Sequence, residues 1–205
     1  IGGTGRVLVA LKSSMKWGWA LMLGMAADMA CAQTHAIDAD RASASFWIRP
    51  VWLKRIEGVF PVLEGVAERD RQNGSTRVDV RIDVRALQMS RASHVAWAQS
   101  AEFFDVERYP WIRFRSDPIP PRRLHEGGDI GGEVTLRGIT QPVHFVLEPA
   151  ACDTPGFGCA VRATGQVKRS SFGMEARRLA LGDTVHLVFS VQLADSSASA
   201  KGGVQ

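Results

Sequence analysis

A strict alternation of apolar and charged residues between positions 77 and 85 constrains the fold of this chain more than any other feature. Val78, Val80, Ile82 and Val84 take every second position, and arginine or aspartate stands between them. Successive side chains of an extended strand point to opposite faces, so all four aliphatic residues share one face and the charges share the other. The pattern predicts a half-buried antiparallel strand.

The same alternation recurs along the chain, and turn residues separate its occurrences. It is found at Val185, Leu187, Phe189, Val191 and Leu193, and more briefly at Ala44, Phe46 and Ile48, at Ile112 and Phe114, at Val134 and Leu136, at Val143, Phe145 and Leu147, and at Val161, Ala163 and Val167. Turn signals lie at residues 72–74, 118–121, 127–128 and 152–159. We therefore expect an all-β domain of eight or nine strands, either a sandwich or a barrel.

The sequence offers one good candidate for a helix, and three glycines interrupt the strand-like runs. The best helical candidate is residues 93–104, with Ser93 as its N-cap. Gly65, Gly132 and Gly165 fall inside strand-like runs, where we expect them to permit bulges or strong coiling of the sheet.

The first 32 residues have the features of a secretory signal peptide with an upstream extension. Lys16 precedes an apolar run at 17–27, and Ala30-Cys31-Ala32 is a small-x-small cleavage site before Gln33. The run is shorter than the about 20 residues that span a bilayer. Residues 1–14 are either a misplaced translation start or a long positive n-region. We expect an exported β-domain at 33–195 and a disordered tail at 196–205.

Charge and cysteine usage agree with export. The whole chain carries a net charge of +4, but removing residues 1–32 leaves it almost neutral, which gives little reason to expect nucleic acid. Cys152 and Cys159 bracket a short loop of turn residues and are expected to form a disulfide that contributes about 2–3 kcal/mol. A metal site is the weaker alternative, because no histidine lies near the two thiols.

Motifs of catalysis are missing from the sequence. The five histidines, at positions 35, 94, 125, 144 and 186, are scattered, and there is no nucleophile elbow, zinc helix or phosphate-binding loop. We therefore expect a protein that is not an enzyme and that holds neither a metal nor a cofactor. The phenylalanines are spread over different strands, where they either fill a core or line an apolar cavity.

Three segments in order resemble the YceI-like family of periplasmic lipid-binding proteins. They are FFDVERYPWIRFRS at residues 103–116, VTLRGITQPV at 134–143, and RSSFGM at 169–174 followed by LGDTV at 181–185. Weaker agreement at residues 37–38 and 58–60 extends the resemblance over nearly all of 34–194. One departure is Trp97, which stands where many members of the family have a histidine.

The resemblance implies a lipocalin-like, eight-stranded antiparallel barrel that carries an amphiphile, typically a polyisoprenoid, in a central tunnel. It also implies that Phe104, Phe114, Phe172 and Met174 face or rim this tunnel. Strand parity adds Phe46, Phe60, Leu136 and Phe189 to the predicted ligand-binding residues. Arg169 is either a partner for a polar or anionic head group or a member of a structural salt bridge.

Two functional hypotheses follow. The first is a periplasmic carrier of a polyisoprenoid, a quinone or a fatty amide. The alternative is an envelope stress or structural protein whose barrel is filled and whose partner is another protein. A homodimer is compatible with both.

Overall fold

The computed structural model describes residues 32–51, 55–176 and 179–194, together with Gly2. The predicted upstream extension and signal peptide, apart from Gly2 and Ala32, and the predicted tail lie outside these residues. No helix in the described part of the chain is long and apolar enough to cross a membrane.

The described residues form one antiparallel sheet with two α-helices. The strands are β1 (Gln33–Ala36), β2 (Ser43–Pro50), β3 (Ile56–Phe60), β4 (Leu63–Arg69), β5 (Thr76–Asp83), β6 (Gln88–Met89), β7 (Trp111–Ser116), β8 (Gly128–Leu136), β9 (Ile139–Leu147), β10 (Val161–Lys168) and β11 (Leu181–Val191). The helices are α1 (Ala92–Gln99) and α2 (Pro121–Glu126), and short 3₁₀ turns lie at Val84–Ala86 and Arg169–Phe172. The strand order is β1-β4-β5-β7-β8-β9-β10-β11-β2-β3-β6.

Chain continuity between strand segments curls this sheet into a barrel. β1 pairs with β4, whereas β2, which follows β1 in the sequence, pairs with β3 and β11. A bridge between Ile37 and Leu193 and a hydrogen bond of 2.9 Å from the Asp38 N–H to the Gln192 carbonyl extend the β11 contact to the end of β1. When β1 with β2, and β3 with β4, are each counted as one bent strand, eight strands follow one another around the interior, and only the two-residue β6 is left over. The predicted eight-stranded antiparallel barrel is confirmed.

The predicted strand faces also agree with the structure. Val80, Ile82, Val134, Phe145 and Leu147 are among the buried core residues, and the charged residues between them face outward. On the outer face, Arg113 donates to Asp79 across the β5–β7 pair, with 2.8 Å between Nε and Oδ1. The apolar interior and the charged exterior therefore follow from the period of two.

The predicted helix differs from the observed one at both ends. α1 ends at Gln99, five residues before the predicted end, because the chain turns there and the Phe104 N–H bonds to the Ala98 carbonyl at 2.9 Å. Ser93 is the second helical residue and not the N-cap. The N-cap is Arg91, which makes no side-chain cap bond.

A second helix, α2, begins at Pro121, where the sequence indicated only a turn. Proline at the first helical position lacks only an N–H that would be unpaired there.

Inward-facing glycines make room for aromatic rings. A methyl group added at Gly165 would lie 2.6 Å from Cε1 of Phe145, one at Gly58 would lie 2.6 Å from Cζ of Phe46, and one at Gly132 would lie 2.8 Å from Cε2 of Phe114. Pairing is regular through Gly65, Gly132 and Gly165, and the recorded irregularity lies between Leu181 and Val185. Of the two predicted roles, the bulge is therefore not found at these glycines, and strong coiling of the sheet stays a prediction; the structure shows that they let rings and neighbouring backbone approach closely.

Replacing Gly165 with alanine is expected to lower the free energy of unfolding by about 1–3 kcal/mol, because the added methyl group displaces the Phe145 ring. Urea unfolding of the variant and the wild type measures this loss. Gln166→Ala, at an exposed outward position of the same strand, is the matched control, with an expected change of about 0.5 kcal/mol or less. Equal effects of the two substitutions would show that the ring does not depend on the glycine.

Candidate ligand-binding cavity

The barrel has two structurally different ends. At one end, here called the disulfide end, lie Arg69, Thr76, Leu147 and Val161 as strand termini, together with the loop 152–159. At the other, here called the helix end, the strands terminate near Asp83, Trp111, Leu136, Lys168 and Leu181, next to α1 and the Arg169–Phe172 turn.

A cavity of about 130 Å³ occupies the disulfide end. Its wall is almost wholly apolar and includes Leu63, Val78, Val80, Ile119, Leu147, Val161, Ala163, Val191 and Leu193. We call it the outer cavity. Such a wall gives water few hydrogen-bonding partners and favours an apolar occupant.

A second cavity of about 60 Å³, here called the inner cavity, lies towards the helix end. Its wall includes Ala44, Phe60, Phe104, Leu136, Val167, Met174 and Leu187. Phe114 and Phe189 belong to the walls of both cavities. The two spaces are therefore neighbours along the barrel interior.

Three phenylalanines form the partition between the cavities. The ring centroid of Phe145 lies 5.3 Å from that of Phe114 and 5.2 Å from that of Phe189, both edge to face, and the Phe114 and Phe189 centroids are 6.4 Å apart. Edge-to-face pairs at these distances are favourable beyond the burial of their area. The rings are thus held together, but no covalent or polar bond fixes them.

Arginine side chains close the helix end. Arg137 lies at positive φ (53°) in the turn between β8 and β9, followed by Gly138 (φ 73°), and donates to the carbonyls of Ala101 at 3.1 Å and of Phe103. It therefore ties the segment after α1 onto the barrel. Trp97, the departure from the family pattern, packs on Phe103 with 4.3 Å between the ring centroids.

Arg169 is enclosed at the same end, with 1% of its surface exposed. It donates to the carbonyls of Gly182 (3.0 Å), Met174 (2.6 Å), Ala176 (2.8 Å) and Leu181 (3.1 Å). Its guanidinium carbon also lies 5.7 Å from the centre of the Phe103 ring. These contacts favour a structural role for Arg169, in which its guanidinium binds backbone carbonyls. A contact between Arg169 and a ligand stays a prediction.

Asp183 completes this arrangement. Its carboxylate accepts from the Ser170 N–H at 3.0 Å and from the Ser170 hydroxyl at 2.8 Å. Burial acts to raise the pKa of Asp183, but these hydrogen bonds and the charges of Arg169 and Lys168 outweigh it, so the pKa lies below its usual value. The carboxylate is therefore ionised at neutral pH and anchors the 3₁₀ turn.

A disulfide between Cys152 and Cys159 holds the loop at the other end, and Pro155, Gly156 and Phe157 of this loop line the outer cavity. The Leu193 N–H donates to the Gly156 carbonyl at 2.7 Å, and Gln192 Nε2 donates to the Phe157 carbonyl at 2.9 Å. The expected disulfide is present in the structure, and its loop covers part of the mouth of the barrel.

The predicted ligand-binding residues separate into two groups. Phe60, Phe104, Phe114, Leu136, Met174 and Phe189 line the inner cavity, and Phe46 packs behind it against Phe60 and Phe104. Phe172 and Arg169 are buried at the helix end and line neither cavity. Whether any of them contacts a ligand stays a prediction.

Sequence reasoning missed the outer cavity. Its polar residues His35, Arg69 and Thr76 and the loop residue Phe157 were not among the predicted ligand contacts. Strand parity could have indicated Arg69 and Thr76, since they continue the inward rows of β4 and β5.

Among the described residues, no group of three or more His, Cys, Asp or Glu side chains is placed to hold a metal ion.

Comparison with known sequences relates the chain to one family. A family model described as the YceI-like domain matches residues 35–193. A UPF0312 protein of Photorhabdus laumondii is 26% identical over 161 residues, covering 77% of this chain and 83% of that protein. A protein named YceI from Salmonella arizonae is 28% identical over 169 residues, covering 80% and 87%.

Solved structures show the same fold. BcnA of Burkholderia cenocepacia superposes with a TM-score of 0.64 at 19% identity, covering 78% of this chain and 99% of that one. A polyisoprenoid-binding domain from Saccharophagus degradans, implicated in plant cell wall breakdown, gives 0.57 at 13% identity, covering 77% and 95%. The YceI protein of Campylobacter jejuni gives 0.57 at 18% identity, covering 71% and 89%.

Replacing Phe189 with alanine is expected to join the two cavities and to lower the free energy of unfolding by about 3–5 kcal/mol, since a ring in contact with both Phe114 and Phe145 is lost. Chemical unfolding measures the loss, and xenon binding detects the enlarged apolar space. Val188→Ala is the control, because Val188 directly precedes Phe189, faces outward and is 37% exposed. It should change the free energy of unfolding little. A loss at Phe189 no larger than at Val188 would contradict the packing described here.

Proposed function

The chain belongs to the YceI-like domain family, and from this membership we propose that it is a carrier protein that holds a long apolar amphiphile inside its barrel. A polyisoprenoid, a quinone or a fatty amide would fit this description. The observation that carries the proposal is the pair of apolar cavities in line along the interior, which share Phe114 and Phe189. The fold shared with a polyisoprenoid-binding domain supports it.

The energetics of such a complex depend on burial of hydrocarbon. Each CH₂ group removed from water stabilises the complex by about 0.8 kcal/mol before the costs of association. Burial of a chain of a dozen carbons therefore provides about 10 kcal/mol towards binding, and no metal is needed to hold the ligand. The apolar walls of both cavities match this requirement.

A long ligand needs more room than either cavity has at rest. Ligand sites commonly enclose about 300–1,000 Å³, whereas the outer cavity measures about 130 Å³ and the inner one about 60 Å³. Rotation of Phe189 or Phe114 would connect them. The partition would then open when the chain of the ligand replaces the ring contacts that it breaks.

We place this function in the periplasm. The signal-peptide features of residues 15–32 support export. The disulfide between Cys152 and Cys159 supports an oxidising compartment, since such bonds are rare in the cytosol.

The alternative of a filled barrel acting through a protein partner requires an interior without space. The two cavities favour the carrier over this alternative. Phe145, which is 1% exposed, fills only the middle of the barrel.

Native mass spectrometry of the protein, produced with its own leader and purified from the periplasmic fraction, tests the proposal. We expect a stoichiometric adduct of lipid mass, whose extraction identifies the ligand class. A mass without adduct, in a protein that also refuses added isoprenoids, quinones and fatty amides, would exclude the carrier role. Recovery only from the cytosol would exclude the location.

Replacing Ala163 with phenylalanine is expected to weaken ligand binding at least about tenfold, because the new ring occupies the outer cavity that Ala163 lines. Gln166→Phe adds the same ring on the outer face of the same strand and should leave binding unchanged. Titration of the ligand found by mass spectrometry compares the two. Equal binding by both variants would place the ligand elsewhere.

A further inference from the structure

The inward row of β4 ends in a charged residue. Leu63, Gly65 and Ala67 of this row face the interior, and Arg69 is the next member, at the rim of the outer cavity. Arg69 is paired across the sheet with Gln33 of β1 and Thr76 of β5, which end their own inward rows at the same level. A cationic side chain therefore stands where an apolar wall meets solvent.

The rest of the described wall holds no other arginine or lysine and no carboxylate. Besides Arg69, its polar side chains are Thr76 and His35, and the remaining lining residues are apolar or glycine. The His35 ring is held edge-on against Phe157 of the disulfide loop, with 4.9 Å between centroids. The mouth thus has an apolar part, given by the loop, and a polar part that includes Arg69.

Within the part of the chain that the structure describes, Arg69 belongs to no ion pair. Its sequence neighbour Glu68 points to the outer face, and the Asp70 carboxylate accepts the Gln72 N–H at 2.8 Å inside the β4–β5 turn. By contrast, Arg81 and Arg113 on the outer face are each paired with a carboxylate. The charge of Arg69 is therefore not offset by a carboxylate bonded to it.

We propose that the rim formed by Arg69, Thr76 and His35 binds the anionic end of the amphiphile, a carboxylate or a phosphate, while its chain lies in the cavity. This inference rests on the proposed carrier function and adds to it the chemical class and the place of the polar end. It also fixes the orientation of the ligand, with its head at the disulfide end and its tail towards Phe189.

The chemistry of arginine suits this role. Its planar guanidinium forms two parallel hydrogen bonds with a carboxylate or a phosphate, and such charge-assisted bonds are about twice as strong as neutral ones. The Thr76 hydroxyl offers an additional donor on the neighbouring strand.

The test compares three probes of equal chain length on the delipidated full-length protein: hexadecanoate, hexadecyl phosphate and hexadecanamide. In calorimetric titrations, Arg69→Gln is expected to weaken binding of at least one anion about tenfold and to change binding of the neutral amide less than about twofold. The anion with the larger loss identifies the head group as carboxylate or phosphate. Arg69→Lys should retain part of the affinity, because it retains the charge.

Arg71→Gln is the matched control, since Arg71 lies in the exposed β4–β5 turn and does not line the outer cavity. Thermal unfolding of each variant confirms that it is folded. Equal losses with Arg71→Gln, equal losses for amide and anions, or no loss at all would each overturn the rim site while the carrier function stands. A wild-type protein that binds none of the three probes would overturn this inference, and only the absence of a lipid adduct together with refusal of isoprenoids, quinones and fatty amides would overturn the carrier function as well.

Discussion

The interior of the barrel depends on the contact between phenylalanine rings and the glycines that face them. An eight-stranded barrel is just wide enough for its side chains to fill it. Because Gly58, Gly132 and Gly165 contribute no side chain, the rings of Phe46, Phe114 and Phe145 lie close to the wall. A larger residue at these glycines would push the rings inward and remove the space that a ligand needs.

The two ends of the barrel are held by different forces. At the helix end, Arg137 and Arg169 donate to carbonyls of the segments that cover the opening, and Arg169 is buried. Opening this end would leave a buried guanidinium without its partners, which is costly. At the disulfide end, one covalent bond and a few backbone contacts hold a loop whose Phe157 is only half-buried. Segments with few buried contacts open most readily, so this end offers the ligand the smaller barrier.

Strand faces were predictable from the sequence because a period of two leaves little ambiguity, and the inward rows of β5 and β11 were both correct. The end of α1 was not predictable, because after Gln99 the chain follows contacts with residues distant in sequence: Arg137 donates to the Phe103 carbonyl, and Phe104 packs on Phe46 and Phe60. The outer cavity was missed for a similar reason. Its wall takes residues from eight strands, from α2 and from the segments between them, and no single segment shows that their side chains leave a space.

Arg69 and Arg169 show why residue type alone does not identify a ligand contact. Arg169 belongs to a segment that resembles a family motif, yet its N–H groups bond to carbonyls of its own chain. Arg69 belongs to no motif, but its place in the inward row of β4 brings it to the rim of the outer cavity. Strand parity separates an inward arginine from an outward one, and only the three-dimensional contacts separate an arginine that braces the fold from one that faces a cavity. For that reason the anionic end of the ligand is assigned to Arg69.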